Sequence, residues 1–435
     1  MAWSNSKNRE WQERARAVIP GGMYGHESTV MLPERFPQFF SRAQGTHIWD
    51  VDGNAYIDFM CAFGPNLLGY QHRAVNAAAQ RQAELGDTLT GPSSVMVELA
   101  EQFVDMVSHA QWAMFCKNGS DATSMAMVIA RAYSGRRKII VATGAYHGAA
   151  PWNTPNRTGT LPEDRAHIVY VDYNDPQSLE QAFREHRGDI AGLFATPFRH
   201  EVFADQVLPD AAYALRARAL CDAEDALLVV DDVRAGFRLA RDCSWSLLGV
   251  EPDLSCWGKV LANGHPLSAV LGSEKVRAAA GRIFVTGSFW FSAVPMAAAI
   301  ATLHEIRHSQ YLEHMTALGL QFREGLAARA DAAGFALKQT GPAHMPQILF
   351  EDDADMRLGF HWTSAALEYG LYLHPYHNMF FNAAMTQAHI QQALEGAERA
   401  FADLRHARPL IAPNQNALVR RRLNLPKLDG AGVLR

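Results

Sequence analysis

Leu227-Leu228-Val229-Val230-Asp231-Asp232-Val233 is an unbroken apolar run that ends on two carboxylates. Aliphatic residues without polar alternation describe a strand covered on both faces, as in a parallel sheet whose crossovers place helices on either side. Two carboxylates at the end of such a strand are costly unless something cationic faces them. A protonated pyridine nitrogen would be such a partner. A metal is the competing one, although no suitable His or Cys accompanies the pair locally. Ser255-Cys256-Trp257-Gly258-Lys259 follows, with Lys259 standing 28 residues beyond Asp231. Burial and nearby positive charge bias such an amine toward its neutral, nucleophilic form, whereas a surface lysine would simply snorkel.

Outward from this pair, the chain from about Ala74 alternates helical patterns with short apolar runs. These are Trp112–Cys116, Lys138–Ala142, Ile168–Val171, Ile190–Phe194, Ala226–Val230 and Ala269–Gly272. Strands alternating with helices predict an α/β fold with a mostly parallel sheet and right-handed crossovers. Before them come an amphipathic helix near Arg9–Val18, stopped at Pro20-Gly21-Gly22, and a β unit, Thr46–Asp50 turning at Val51–Asn54 into Ala55–Asp58. A helical run from Pro295 to about Ile306 leads into a mixed region, and the tail from Ile411, with Arg420-Arg421-Arg422, reads as irregular. The expected division is an N-terminal segment (1–73) shared with a smaller domain, a large domain (74–309), a C-terminal small domain (310–410) and the tail (411–435).

Three further motifs fall where a sheet would bring them together. Cys116-Lys117-Asn118-Gly119-Ser120-Asp121-Ala122 ends a strand and opens a helix: Gly119 lets backbone N–H groups approach closely, Ser120 is a candidate cap, and the helix dipole favours an anion such as phosphate. Thr143-Gly144-Ala145-Tyr146-His147-Gly148 places an aromatic residue at another strand end, where it would lie flat on a planar ring. Asn263-Gly264-His265-Pro266-Leu267-Ser268-Ala269 and Thr286-Gly287-Ser288 add small and hydroxyl groups. Each motif alone is also a common turn, cap or plug. Their order and spacing together point to pyridoxal 5′-phosphate.

Composition narrows the class. A chain of 435 residues, 48% apolar and 20% charged, has the material for one large core and a smaller second one. The net charge of −5 and the dispersed basic residues leave no electrostatic footprint for nucleic acid. Five cysteines without a CxxC pair suggest reduced thiols and a cytoplasmic protein. Ser4–Val18 lacks the apolar core of a signal peptide, and Ala293–Leu303 is too short to span a bilayer.

From about Val18 to Phe401 the chain resembles the class III (ω-type) aminotransferases, in particular their glutamate-1-semialdehyde aminomutase-like branch. Beyond the motifs above, the resemblance is carried by Asp50-Val51-Asp52-Gly53, Tyr56-Ile57-Asp58, Gly64-Pro65-Asn66 and Gly236-Phe237-Arg238. It implies a fold-type I enzyme with a seven-stranded sheet and a smaller α+β domain, working as a homodimer with active sites at the interface. It further implies that Lys259 binds the cofactor as an imine and then carries the proton between substrate carbon and cofactor. Asp231 would keep the pyridine nitrogen protonated, Tyr146 would stack on the ring and Val233 press its other face. Asn118, Gly119, Ser120 and His147 complete the implied cofactor set, with Ser288 as candidate phosphate donor from the neighbouring subunit.

The departures matter. Asp231-Asp232 stands where the family has Asp-Glu, Thr196-Pro197 where it has Glu-Pro, and no clean Gly-Thr precedes Phe289. The segment Pro151-Trp152-Asn153-Thr154-Pro155-Asn156 is short where aminomutases keep a long lid; a short lid suits release of a ketone, hence transamination rather than 2,1-aminomutation. Three strings, Gly22–Glu27, Thr196–His200 and His374-Pro375-Tyr376-His377-Asn378, are similar to those of bacterial aminotransferases acting on hydrolysed fumonisin. That implies a long amino polyol as amine donor and pyruvate as 2-oxo acid acceptor. Tyr24, Phe63, Trp152, Phe289, Trp290, Tyr376 and His377 are the candidate pocket residues, and Arg199 and Arg234 the candidates for an acceptor's carboxylate.

Two other classes compete. His304-Glu305-Ile306-Arg307-His308 matches the H-E-x-x-H zinc-protease pattern, but 18 histidines make a chance match plausible and no third ligand is evident, so no metal is expected. A catalytically idle relative serving as a regulator would not need both Lys259 and Asp231, and no DNA-binding segment is visible.

Overall fold

The computed structural model describes residues 3–426. The N-terminal helix Ser6–Val18 is followed by strands β1 (Phe40–Gln44), β2 (His47–Asp50) and β3 (Ala55–Asp58). Then come β4 (Trp112–Cys116), β5 (Lys138–Ala142), β6 (Ile168–Val171), β7 (Ile190–Ala195), β8 (Leu227–Asp231), β9 (Leu254–Trp257) and β10 (Ser268–Gly272). A hairpin, β11 (Leu337–Thr340) and β12 (Gln347–Phe350), and the short β13 (Leu371–Tyr372) complete the strands.

Strands β4 to β10 form one seven-stranded sheet in the order β4-β10-β9-β8-β7-β5-β6. Only β10 opposes the common direction, pairing antiparallel with both β4 and β9. Every residue of β7, β8, β9 and β10 is buried, which explains their unalternated apolar sequences. Six of the seven strands were expected; β9 is the addition, its four residues including Ser255 and Cys256 and so lacking an aliphatic run. Below the Gly258-Lys259 step, Trp257 packs edge-on to Phe103 at 5.1 Å and against Phe237 at 4.7 Å.

A second sheet joins distant parts of the chain, in the order β1-β2-β3-β13, with Leu371 opposite Ile57 in parallel register. The helix Ala293–His308 packs on Arg73–Leu85 and Val95–Met106, and Tyr311–Ala332 packs on Gln387–Ala407. No described helix is long and apolar enough to cross a membrane.

The tail departs from the irregular reading. Ala417–Arg422 is a short helix capped by Asn416, whose side chain accepts from Leu418 N and Val419 N. Val419 is fully buried, and the buried Arg420 donates to the carbonyls of Asn414 and Pro426. One apolar anchor among arginines leaves no periodicity to read. Residues 427–435 of that tail lie outside the described residues.

Candidate active site

The carboxyl ends of β4, β5, β7, β8 and β9 open on one edge of the large sheet, where crevices for ligands form in such folds. A cavity of about 310 Å³ lies there. Among its walls are Asn118, Gly119, Ser120, Tyr146, His147, Asp231, Val233, Arg234 and Lys259, nine of the residues singled out from the sequence.

Lys259 begins a short 3₁₀ turn directly after β9 and has φ +41°, a left-handed conformation rare for a side chain of this size. Its Nζ donates to the Phe63 carbonyl at 2.9 Å. Burial, and then the charges of Arg234 and Arg238, push the amine down to about 7. The carbonyl it meets is held by an unusual turn. Cys61, Ala62 and Phe63 have φ of 47°, 54° and 63°, and Gly64 follows at 108°. Three successive non-glycine residues in this region cost about 1–2 kcal/mol each. The buried Asp58 offsets that by accepting from Met60 N (2.7 Å), Cys61 N (2.9 Å) and Tyr70 Oη (2.6 Å). The fully buried Arg238 closes the far end, donating to the carbonyls of Gly64 and Phe381 at 2.8 Å each.

Asp231 and Asp232 do not act as a pair. Successive strand residues face opposite sides, so Asp231 points into the cavity while Asp232 turns away and accepts from Ser244 N at 2.8 Å. Burial raises the Asp232 carboxyl to about 6. Asp231 Oδ2 meets His147 Nδ1 at 2.7 Å, and Asp231 Oδ1 accepts from Val233 N at 3.2 Å. His147 Nε2 is buried without a partner.

Ser120 is not the helix cap. Asn118 is, in a reciprocal box with Asp121: its side chain accepts from Asp121 N, and Asp121 accepts from Asn118 N. That frees the Ser120 hydroxyl, which accepts from Ala149 N at 2.9 Å. The helix Gly119–Ser134 therefore presents its positive end to the cavity. A Cβ at Gly119 would stand 2.7 Å from Val233 Cγ1, so only glycine lets the helix start this close to β8's end.

Several candidates lie elsewhere. Trp152 is a core residue, stacked on His147 at 6.4 Å and donating to Ser124 Oγ, so it backs the site instead of lining it. Tyr376 is buried against Phe203, with ring centroids 4.1 Å apart. Arg199 lies outside the cavity walls and is ion-paired with Glu201 at 3.6 Å. Tyr24, Ser288 and Phe289 are exposed, and Trp290 borders a separate depression beside Asn118 and Ser120. The Phe63 ring packs between His26 and His377, at 5.5 Å from each. His26, Thr196 and His200 line the cavity without having been named as site residues, although all three sit in strings already noted; nothing local marks their inward direction. His304 and His308 face each other on an exposed helix face at 4.6 Å, and among the described residues no group of three His, Cys, Asp or Glu is arranged to hold a metal.

Known proteins agree with this architecture. The family model described as aminotransferase class-III matches residues 31–401. The chain is 62% identical over 398 residues to the aminopentol aminotransferase of Sphingopyxis macrogoltabida, covering 92% of this chain and 94% of that protein. It is 33% identical to a glutamate-1-semialdehyde 2,1-aminomutase of Polaromonas naphthalenivorans, covering 92% and 98%. The solved FumI protein of Sphingopyxis sp. MTA144, determined with PLP, superposes with a TM-score of 0.94 at 60% identity, covering 95% of this chain and all of that one. This chain belongs to the class-III aminotransferases.

Proposed function

We propose that the protein is a pyridoxal-phosphate-dependent aminotransferase that takes its amino group from a long-chain amino polyol such as hydrolysed fumonisin. A 2-oxo acid such as pyruvate receives it in a second half-reaction on the same site. The observation that carries this reading is one cavity wall shared by the Lys259 amine and the Asp231 carboxylate. The donor class is supported by the likeness to the aminopentol aminotransferase.

The residues present fit the cofactor. The cradle at Gly119, which a Cβ would fill, and the helix start with Asn118 and Ser120 would hold the phosphate. Asp231 would hold the ring nitrogen, Tyr146 and Val233 the two faces, and Lys259 the aldehyde carbon. When bound, pyridoxal phosphate supplies an electron-poor ring that accepts the electron pair left on the substrate carbon. His147 fixes the direction of the Asp231 carboxylate. Lys259 Nζ, which burial brings down to about 7, would take the proton from the substrate carbon and return it, while the Phe63 carbonyl sets where that amine rests.

A homodimer is part of this reading. Leu85, Leu89, Phe284 and Phe289 are exposed, and the two segments that carry them are tied by Ala293 N donating to Asp87 O at 2.9 Å. A partner subunit would cover this apolar surface and bring its own Ser288 toward the phosphate. The domain division at 74, 310 and 411 is supported by β13 pairing with β3, which draws both ends of the chain into one sheet. Five free, buried cysteines support a cytoplasmic setting. Amino transfer is favoured over 2,1-aminomutation because the short segment after Gly148 is pinned by Trp152 and Asn153, both buried.

The test is alanine formation from pyruvate by the purified, cofactor-loaded protein with hydrolysed fumonisin, lost in Lys259→Ala. Isomerisation of glutamate-1-semialdehyde without alanine formation from any amine would overturn the assignment.

A further inference from the structure

Arg234 is a cation whose two hydrogen-bond partners, Asn378 and His377, are both neutral. It follows directly on Asp231-Asp232-Val233 and lines the cavity with Lys259. Its Nη1 donates to Asn378 Oδ1 and meets His377 Nε2 at 3.3 Å, and its guanidinium carbon lies 6.0 Å from the Phe380 ring centroid. Among the described residues it forms no ion pair, and no hydrogen bond engages Nη2 or Nε. Burial pulls it down only to about 10, so it stays charged at neutral pH. Arg199, the other arginine near these loops, is instead matched by Glu201 and stands outside the cavity.

Asp231 acts on Arg234 across the cavity without touching it. An enclosed cation without a contacting anion is costly, and a free Nε–Nη2 edge is the edge that takes a planar carboxylate with two parallel hydrogen bonds. The proposed reaction needs one pocket to receive an amino polyol without a carboxylate in one half-reaction and an anionic oxo acid in the other. An arginine stored by a carboxylate would have to break an ion pair at every cycle; one stored by an amide and a neutral imidazole does not.

We propose that Arg234 is the residue that binds the carboxylate of the 2-oxo acid acceptor, with Asn378 and His377 fixing the direction of its fork. This rests on the aminotransferase reading above and adds the acceptor-recognition element to it.

The experiment compares two acceptors of equal length, pyruvate and propanal, with the loaded enzyme and one amine donor. In Arg234→Gln, kcat/KM is expected to fall at least tenfold more with pyruvate than with propanal, and Arg234→Lys should recover part of that difference. In the wild type, propionate should inhibit competitively against pyruvate and bind at least tenfold more tightly than propionamide; this arm stands even if the variants fail to fold. Equal losses on both acceptors, a selective loss in Arg199→Gln instead, or equal binding of propionate and propionamide would overturn the proposal. Absence of amino transfer by the wild type with either acceptor would strike at the parent reading itself.

Discussion

His147 Nδ1 lies 2.7 Å from Asp231 Oδ2, and the same imidazole ring lies nearly parallel to Trp152, at an interplanar angle of 10°. The carboxylate facing the cavity is thus aimed by an imidazole that is itself held by an indole from the core.

Asp231→Asn keeps the shape and removes the charge. The donor half-reaction, followed by loss of the cofactor's visible band on adding amine, is expected to slow by about 100-fold, the scale of a lost charged hydrogen bond in a buried site. His147→Phe keeps the packing on Trp152 and should cost about tenfold in the same measurement. Equal rates for Asp231→Asn and wild type would remove Asp231 from the chemistry.

The Lys259 amine sets a pH dependence with a definite sign. Its folded-state value, about 7, lies below the ordinary 10.5. Attack on the cofactor needs the neutral amine, so uptake of pyridoxal phosphate by the cofactor-free protein should rise with pH and level off above about 7. A rate that keeps climbing through pH 9 would contradict this. Between the two values the unfolded chain binds more protons, so the burial penalty is full below pH 7 and fades toward pH 10.5. Cofactor-free Lys259→Met should therefore be more stable than wild type at pH 7, by on the order of a few kcal/mol, with the gap narrowing at pH 10.

Gly119→Ala pushes a methyl to within 2.7 Å of Val233 Cγ1. The helix start must retreat from the end of β8, and the dissociation constant for pyridoxal phosphate should rise at least tenfold. Stability should fall by about 1–3 kcal/mol, as overpacking does. Cofactor titration and thermal melting separate the two effects.

Trp152→Ala tests whether that indole belongs to the pocket or the core. The structure places it in the core, so the loss should appear as about 3–5 kcal/mol of stability in denaturant unfolding. A change confined to the donor's KM, with stability intact, would restore it to the pocket.

Much of this was legible because it is local. Trp112–Cys116 and Lys138–Ala142 are largely buried strands whose limits coincide with the runs read from the sequence. Asn118 to Ser120, Tyr146, Asp231 and Lys259 all sit at strand ends, where topology alone brings them together. What escaped depends on contacts across the chain. Which way Trp152 turns is decided by Phe194 at 5.7 Å, and the acceptor for Lys259 is a backbone carbonyl 196 residues away, which no side-chain pattern encodes. Ser120 and Asn118 compete as cap in any local reading, and only Asp121 settles it.

The left-handed turn at Cys61–Gly64 also bears on how the protein comes into being. Asp58 and the turn leave the ribosome first, Arg238 later, and Phe381, whose carbonyl anchors Arg238, last of the three. A nascent chain that has not yet released residue 381 cannot complete the clamp. The lysine is thus translated more than a hundred residues before the clamp around its resting place can close.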